Sequence, residues 1–83
     1  MSKVSEKRLA ELVSLLEIPE TIQREDYPPA SLSGSGNIFI DIAAASRAWR
    51  KVDVGVSNRL MSVINANCES EHEVDALLNY ITL

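Results

Sequence analysis

The residues that could take part in nucleophilic or acid–base chemistry are few and lie near the C-terminal end. His72 is the only histidine and Cys68 the only cysteine, and four positions separate them. A thiol nucleophile needs a base within hydrogen-bond reach and a third group that orients this base. Such groups normally converge from separate parts of a fold, so closeness in sequence is weak support for a catalytic pair. We therefore expect a solvated His72, an idle Cys68 and no enzymatic activity.

Acidic residues alternate through the same region, at Glu69, Glu71, Glu73 and Asp75. This spacing has some likeness to a calcium loop, but the segment lacks the glycine and the loop length of an EF-hand. One histidine and one cysteine cannot complete a four-ligand zinc site. Carboxylates are favoured at a helix N-terminus, which explains them without a ligand. We expect no metal and no other cofactor.

The bases are distributed differently from the acids. The chain has a net charge of −4 and a sequence pI of about 4.8, which argues against nonspecific binding to nucleic acid or anionic lipid. Arg47, Arg50 and Lys51 form the one basic cluster, and they make residues 37–53 the only net-positive segment. Helix geometry places these three bases on one side, where they could meet an acidic surface.

These bases belong to a predicted central helix that runs from Asn37 to Val52. Apolar residues recur along it at helical spacing and predict a stripe that faces the core: Ile38, Ile42, Ala45, Trp49 and Val52. The opposite side should be polar on a surface helix, yet it begins with further apolar residues. We therefore predict that this side binds a partner, through Ile40, Ala43, Ala44, Arg47, Arg50 and Lys51.

One helix precedes the central helix, and a break separates the two. The first is predicted from about Ser5, its N-cap, to Glu17. Pro19 ends it and can start a short fifth helical turn. Residues 26–36 contain two prolines and a Ser/Gly run, and we predict an exposed loop there.

Capping residues also define the last two helices. Asp53 can cap a helix from Val54 to Asn67. Ser70 and Glu73 have the spacing of a capping box and predict a last helix that continues to the C-terminus. The predicted fold is all-α: a single domain over residues 1–83, built as a compact bundle of four helices.

A pair of β-strands is an alternative to helices for the centre of the chain. The runs NIFIDI and KVDVGV are rich in β-branched residues and could pair as strands in an α+β fold. We favour a helix because the apolar stripe continues through AAASRAW, a run with high helix propensity. Residues 37–42 decide between the two folds.

The sequence favours a protein-binding module without catalysis. An adaptor, a regulatory subunit or a small inhibitor of the kind that phages and mobile elements encode would fit, with another protein as partner and a homodimer as an alternative. No apolar run approaches the length of a membrane span, and no signal peptide is evident, so we expect no membrane association and a cytoplasmic location.

A transcriptional regulator that binds nucleic acid is the alternative function. The last two predicted helices are joined by a short turn, as in a helix-turn-helix motif. The last helix begins with Glu71, Glu73 and Asp75, whereas recognition helices normally carry bases and amides there. We therefore do not favour nucleic acid as a partner.

Overall fold

The four predicted helices are present in the computed structural model, which describes residues 4–33 and 37–83. The helices are α1 (Glu6–Leu15), α2 (Ile38–Arg50), α3 (Val54–Asn67) and α4 (Glu71–Ile81), with a short 3-10 helix at Arg24–Asp26. The all-α prediction is confirmed. The described residues contain no strand, so the alternative pairing of NIFIDI with KVDVGV is wrong: the first run opens α2 and the second ends in α3.

Each helix begins at a polar side chain that accepts a hydrogen bond from a backbone N–H of its first turn. The N-cap residues are Ser5, Asn37, Asp53 and Ser70. Each satisfies one of the donors that a helix start leaves without a partner. Asp53 follows α2 by only three residues, so its cap sets the sharp change of direction between α2 and α3.

The core lies where the four apolar stripes meet. α2 packs mainly on α3 and also on α4, while α1 covers the other side of α3 and α4. Trp49 is fully buried at the centre, and its indole N–H donates to the carbonyl of Ile81, 2.9 Å away. Ser46 and Ser57 link α2 to α3 through hydroxyl oxygens 2.9 Å apart.

The predicted core stripe of α2 needs one correction. Ile42, Ala45 and Trp49 are buried as expected, and Ile38 is half-buried. Val52, in contrast, is 39% exposed. The helix ends at Arg50, so the helical spacing that would have turned Val52 toward the core no longer applies.

The segment that precedes α2 is partly buried, unlike the exposed loop that we expected over residues 26–36. Tyr27 and Pro28 are buried, and the Tyr27 ring packs edge-on against Trp49 with centroids 5.1 Å apart. The carbonyl of Pro28 also accepts from the N–H of Leu83. From Pro29 to Ser33, exposed residues alternate with half-buried ones. Residues 34–36 lie outside the described part of the chain.

The short helical turn predicted after Pro19 is present, and a 3-10 helix follows it. Ile22 N–H donates to the Pro19 carbonyl, which closes a single turn, and the 3-10 helix begins only at Arg24. The Arg24 guanidinium stacks over the Tyr80 ring at 3.8 Å from its centroid. This contact attaches the connecting segment to α4.

Candidate protein-binding face

The predicted binding residues all belong to α2 and the position that follows it, and helix periodicity divides them into two rows. Ile40, Ala44, Arg47 and Lys51 follow one another at spacings of four, three and four, and therefore share one row. Ala43 and Arg50 lie in the neighbouring row. We call these two rows, together with Phe39, the outer face of α2. Along the helix axis this face extends about 18 Å, from Phe39 to Lys51.

Phe39 also belongs to the outer face, but it was not among the binding residues predicted from the sequence. Its side chain is 74% exposed, more than that of Ile40 at 55%. It stands four residues before Ala43 and eleven before Arg50, so it belongs to their row. This spacing places Phe39 off the core stripe, and it could have identified Phe39 as exposed from the sequence.

Ala43 and Ala44 are half-buried, and they separate an apolar end from a basic end of the outer face. Arg47, Arg50 and Lys51 are all exposed. None of the three forms an ion pair within the described residues, where Arg8 alone accounts for the ion pairs seen. The positive charge at this end is therefore available to an external anion.

The one carboxylate within α2 does not pair with these bases, because it points toward the segment before the helix. Asp41 is almost fully buried and accepts from both the backbone N–H and the hydroxyl of Ser33, at 2.7 and 3.0 Å. It fixes the segment before α2 against the helix. The side chain is thus part of the scaffold and leaves the outer face net-positive.

A groove of about 740 Å³ runs between the C-terminal half of α2 and the segment 26–31. It takes in only some of the predicted binding residues: Ala44, Arg47 and Lys51 line it, whereas Ile40, Ala43 and Arg50 do not. The opposite wall includes Asp26 and both prolines. Sequence reasoning missed this wall, because nothing in the sequence indicated that residues 26–31 would fold back along α2.

A second hollow, of about 560 Å³, lies between α1 and α4. It is lined by Leu9, Ala10, Val13 and Tyr80, with Glu6 and Ser14 as polar members. These polar groups belong to one helix and do not converge with a base or a nucleophile. We assign no chemistry to this hollow.

The two residues with catalytic potential lie at the start of α4 and in the turn before it. His72 is exposed on the first turn of α4, and Cys68 is half-buried in the preceding turn. Burial is the main cause that raises the pKa of the Cys68 thiol, and the nearby Glu73 carboxylate raises it further. A raised pKa disfavours the reactive thiolate. Among residues 4–33 and 37–83, no His, Cys, Asp and Glu side chains are grouped as a metal site would need.

The last two helices do not form the compact pair of a helix-turn-helix motif. α3 and α4 are consecutive, yet each packs mainly on other helices. The exposed side of α4 carries Glu71, His72 and Asp75 and has no arginine or lysine.

Within the part of the chain that the structure describes, no helix combines the length and the apolar character needed to cross a membrane. The chain matches no protein-family model, no curated protein and no solved structure.

Proposed function

We propose that this chain is a non-enzymatic protein-binding module that docks through the outer face of α2 onto an acidic surface of another protein. One observation carries the proposal: Phe39 and Ile40 are exposed at one end of this face, and at the other stand three bases that form no ion pair with any residue the structure describes. Large exposed apolar side chains beside charged ones are typical of interaction sites.

The two ends would contribute differently to binding. The phenyl ring of Phe39 and the side chain of Ile40 can be removed from water, which supplies most of the affinity of an interface. Arg47, Arg50 and Lys51 would steer an acidic partner and fix its orientation, because rim charges act mainly on association rate and specificity. An adaptor, a regulatory subunit and an inhibitor all need this kind of surface.

A foreign acidic protein fits this face better than a second copy of the chain does. Antiparallel pairing of two α2 helices about a two-fold axis would set the apolar end of each against the basic end of the other. Charges would then be desolvated against apolar side chains, which is costly. The single thiol of Cys68 agrees with a reducing cytoplasm as the place of action.

Binding to nucleic acid is not favoured as a second function. The protein has a net charge of −4, and three bases on one helix face provide a small positive field for a phosphate backbone. The exposed side of α4 is acidic where a recognition helix would approach the groove.

Capture of the partner from the native host tests the proposal. The tagged protein should co-purify with one host protein that mass spectrometry identifies, and Ile40→Asp should abolish this. The substitution should leave the fold intact, because the site is exposed and carboxylates are favoured in the first turn of a helix.

A matched control comes from Leu15→Asp, which places the same charge at an exposed leucine of α1, on another side of the bundle. It should keep the partner. Equal capture by both variants would reject the outer face of α2 as the binding surface.

A further inference from the structure

We infer that the groove between α2 and residues 26–31 holds an extended acidic segment of the partner, with carboxylates at alternate positions. The inference rests on the function proposed above and specifies which part of the outer face recognises charge. Of the three bases, Arg47 and Lys51 line the groove, and Arg50 does not.

Two cations at this spacing fit carboxylates two residues apart on an extended chain. Residues four apart on a helix have Cβ atoms about 5–6 Å from each other. In an extended peptide, side chains two residues apart point to the same side and are separated by about 6.5–7 Å. Arginine and lysine side chains are long enough to absorb the difference. A segment with the pattern acid–any–acid can therefore pair with Arg47 and Lys51 together.

The shape of the groove favours an extended backbone over a helix. The half-buried Ala44 and Ala48 lie one turn apart on the α2 side, and their short side chains let another backbone approach closely. Residues 28–31 form the facing wall without regular secondary structure. The volume of about 740 Å³ lies in the range of clefts that bind small ligands.

One acidic side chain on the groove wall makes the inference more specific. Asp26 is exposed and lines the groove, so it repels a carboxylate bound nearby. Asp26→Asn should therefore strengthen binding of an acidic segment. A surface that merely tolerated any peptide would gain nothing from this substitution.

Synthetic peptides provide a direct probe. The first peptide alternates alanine and glutamate over seven residues; the second carries glutamine for every glutamate, and the third has the same charge with its glutamates adjacent. Binding to the full chain is followed by fluorescence anisotropy at low salt and by amide chemical shifts in NMR. The alternating acidic peptide should bind most tightly and shift the amides of Ala30, Ala44 and Ala48.

Variants of the protein locate the charge recognition. Exposed ion pairs are worth up to about fivefold in affinity each, so Arg47→Gln or Lys51→Gln should weaken binding by up to roughly fivefold, and the two substitutions together by up to roughly 25-fold. Lys7→Gln removes the same charge from an exposed position of α1, outside the outer face, and is the matched control. It should leave peptide affinity nearly unchanged.

Several results would overturn the inference. Equal loss with Lys7→Gln would mean that the peptide responds only to net charge. If the peptide with adjacent glutamates bound equally well, carboxylates at alternate positions would not be required for binding. Tighter binding of a single-stranded oligonucleotide at the same amides would make the groove a nucleic-acid site.

Failure of the inference can be told apart from failure of the proposed function. If partner capture is abolished by Ile40→Asp but unaffected by the Arg47→Gln/Lys51→Gln pair, the groove is wrong and the outer face stands. If neither variant changes capture, both the groove inference and the outer-face proposal are wrong.

Discussion

The carboxylate of Glu73 lies 2.9 Å from Nε of Arg8, across 65 positions of sequence, and joins α1 to the start of α4. The same carboxylate accepts from the backbone N–H of Glu69, also at 2.9 Å. Arg8 in turn donates to the carbonyl of Asn67 at the end of α3. These two side chains therefore connect the ends of three helices, and both are largely shielded from solvent, with 27% of Arg8 and 16% of Glu73 exposed.

The Glu73 contact predicts a dependence of stability on pH. Hydrogen bonds from Arg8 and then from the Glu69 backbone hold the pKa of Glu73 below its ordinary value of 4.5. Its contribution to stability is therefore complete above about pH 4.5 and is lost as the pH falls through the lowered folded-state pKa. Glu73→Gln should lower the urea midpoint at pH 7 and reduce the further loss on acidification. Glu11→Gln, which removes a carboxylate 3.9 Å from Arg8, is the control and should change the pH profile little.

The local part of this arrangement could be predicted from the sequence, and the distant part could not. The spacing of Ser70 and Glu73 identified the start of α4, and Ser70 accepts from Glu73 N–H as a capping box requires. The reciprocal bond, however, goes to the N–H of Glu69, one residue before the cap. Arg8 was beyond prediction, because helix spacing fixes which residues share a face but not which distant side chain reaches it.

Loss of the Ser70 cap should destabilise the protein measurably. Ser70→Ala leaves a backbone N–H of the first turn of α4 without its side-chain acceptor, at a typical cost of about 1 kcal/mol. Urea unfolding followed by circular dichroism would measure it. Ser62→Ala, at an exposed site within α3, should have no such cost, because alanine is the better helix former there. Coincident midpoints for Ser70→Ala and the parent protein would contradict the role of this cap.

The buried indole of Trp49 predicts a larger effect. Trp49→Phe keeps an aromatic ring against Tyr27 but leaves the buried carbonyl of Ile81 without its donor. An orphaned buried acceptor costs about 1–3 kcal/mol, and the smaller ring adds a loss of packing. Tyr27→Phe is the control, since it keeps the ring contact with Trp49 and removes only a hydroxyl. A change in unfolding free energy no larger than that of this control would contradict the predicted contribution of the indole hydrogen bond.

The end of α1 offers a site for stabilisation. Glu17 has a φ of 54°, in the left-handed region that costs most residues about 1–2 kcal/mol. Arg59 fixes this turn by donating to the carbonyls of Leu16 and Glu17. Glu17→Gly should raise the unfolding free energy by about 0.5–1 kcal/mol, because glycine adopts this φ freely but loses more entropy on folding. Glu20→Gly, at an exposed position without positive φ, should give no gain.

The candidate binding face shows the same division between local and distant information. Helical spacing correctly separated Trp49 and Ile42 on the inside from Ile40 on the outside. It also held the information that Phe39 is exposed. Helical spacing could not predict the groove wall, because Tyr27 and Pro28 are held by contacts with Trp49 and Leu83, which are far away in sequence. No local pattern could have paired residues 26–31 with Arg47 and Lys51.

Once a partner is known, the kinetics of association should distinguish the bases of the outer face from its apolar residues. Replacing Arg47, Arg50 and Lys51 together with glutamine should slow association and flatten its dependence on salt, with a smaller effect on dissociation. The reason is that these exposed charges attract an acidic surface over roughly a Debye length, about 10 Å at 0.1 M salt, before contact is made.

Phe39→Ala should do the opposite: association would be nearly unchanged and dissociation faster, because the lost apolar contact exists only in the complex. Surface plasmon resonance at two salt concentrations separates the two effects. If the triple glutamine variant associates as fast as the parent protein at low salt, the three bases form only a solvated end of α2, and the acidic nature of the partner must be abandoned.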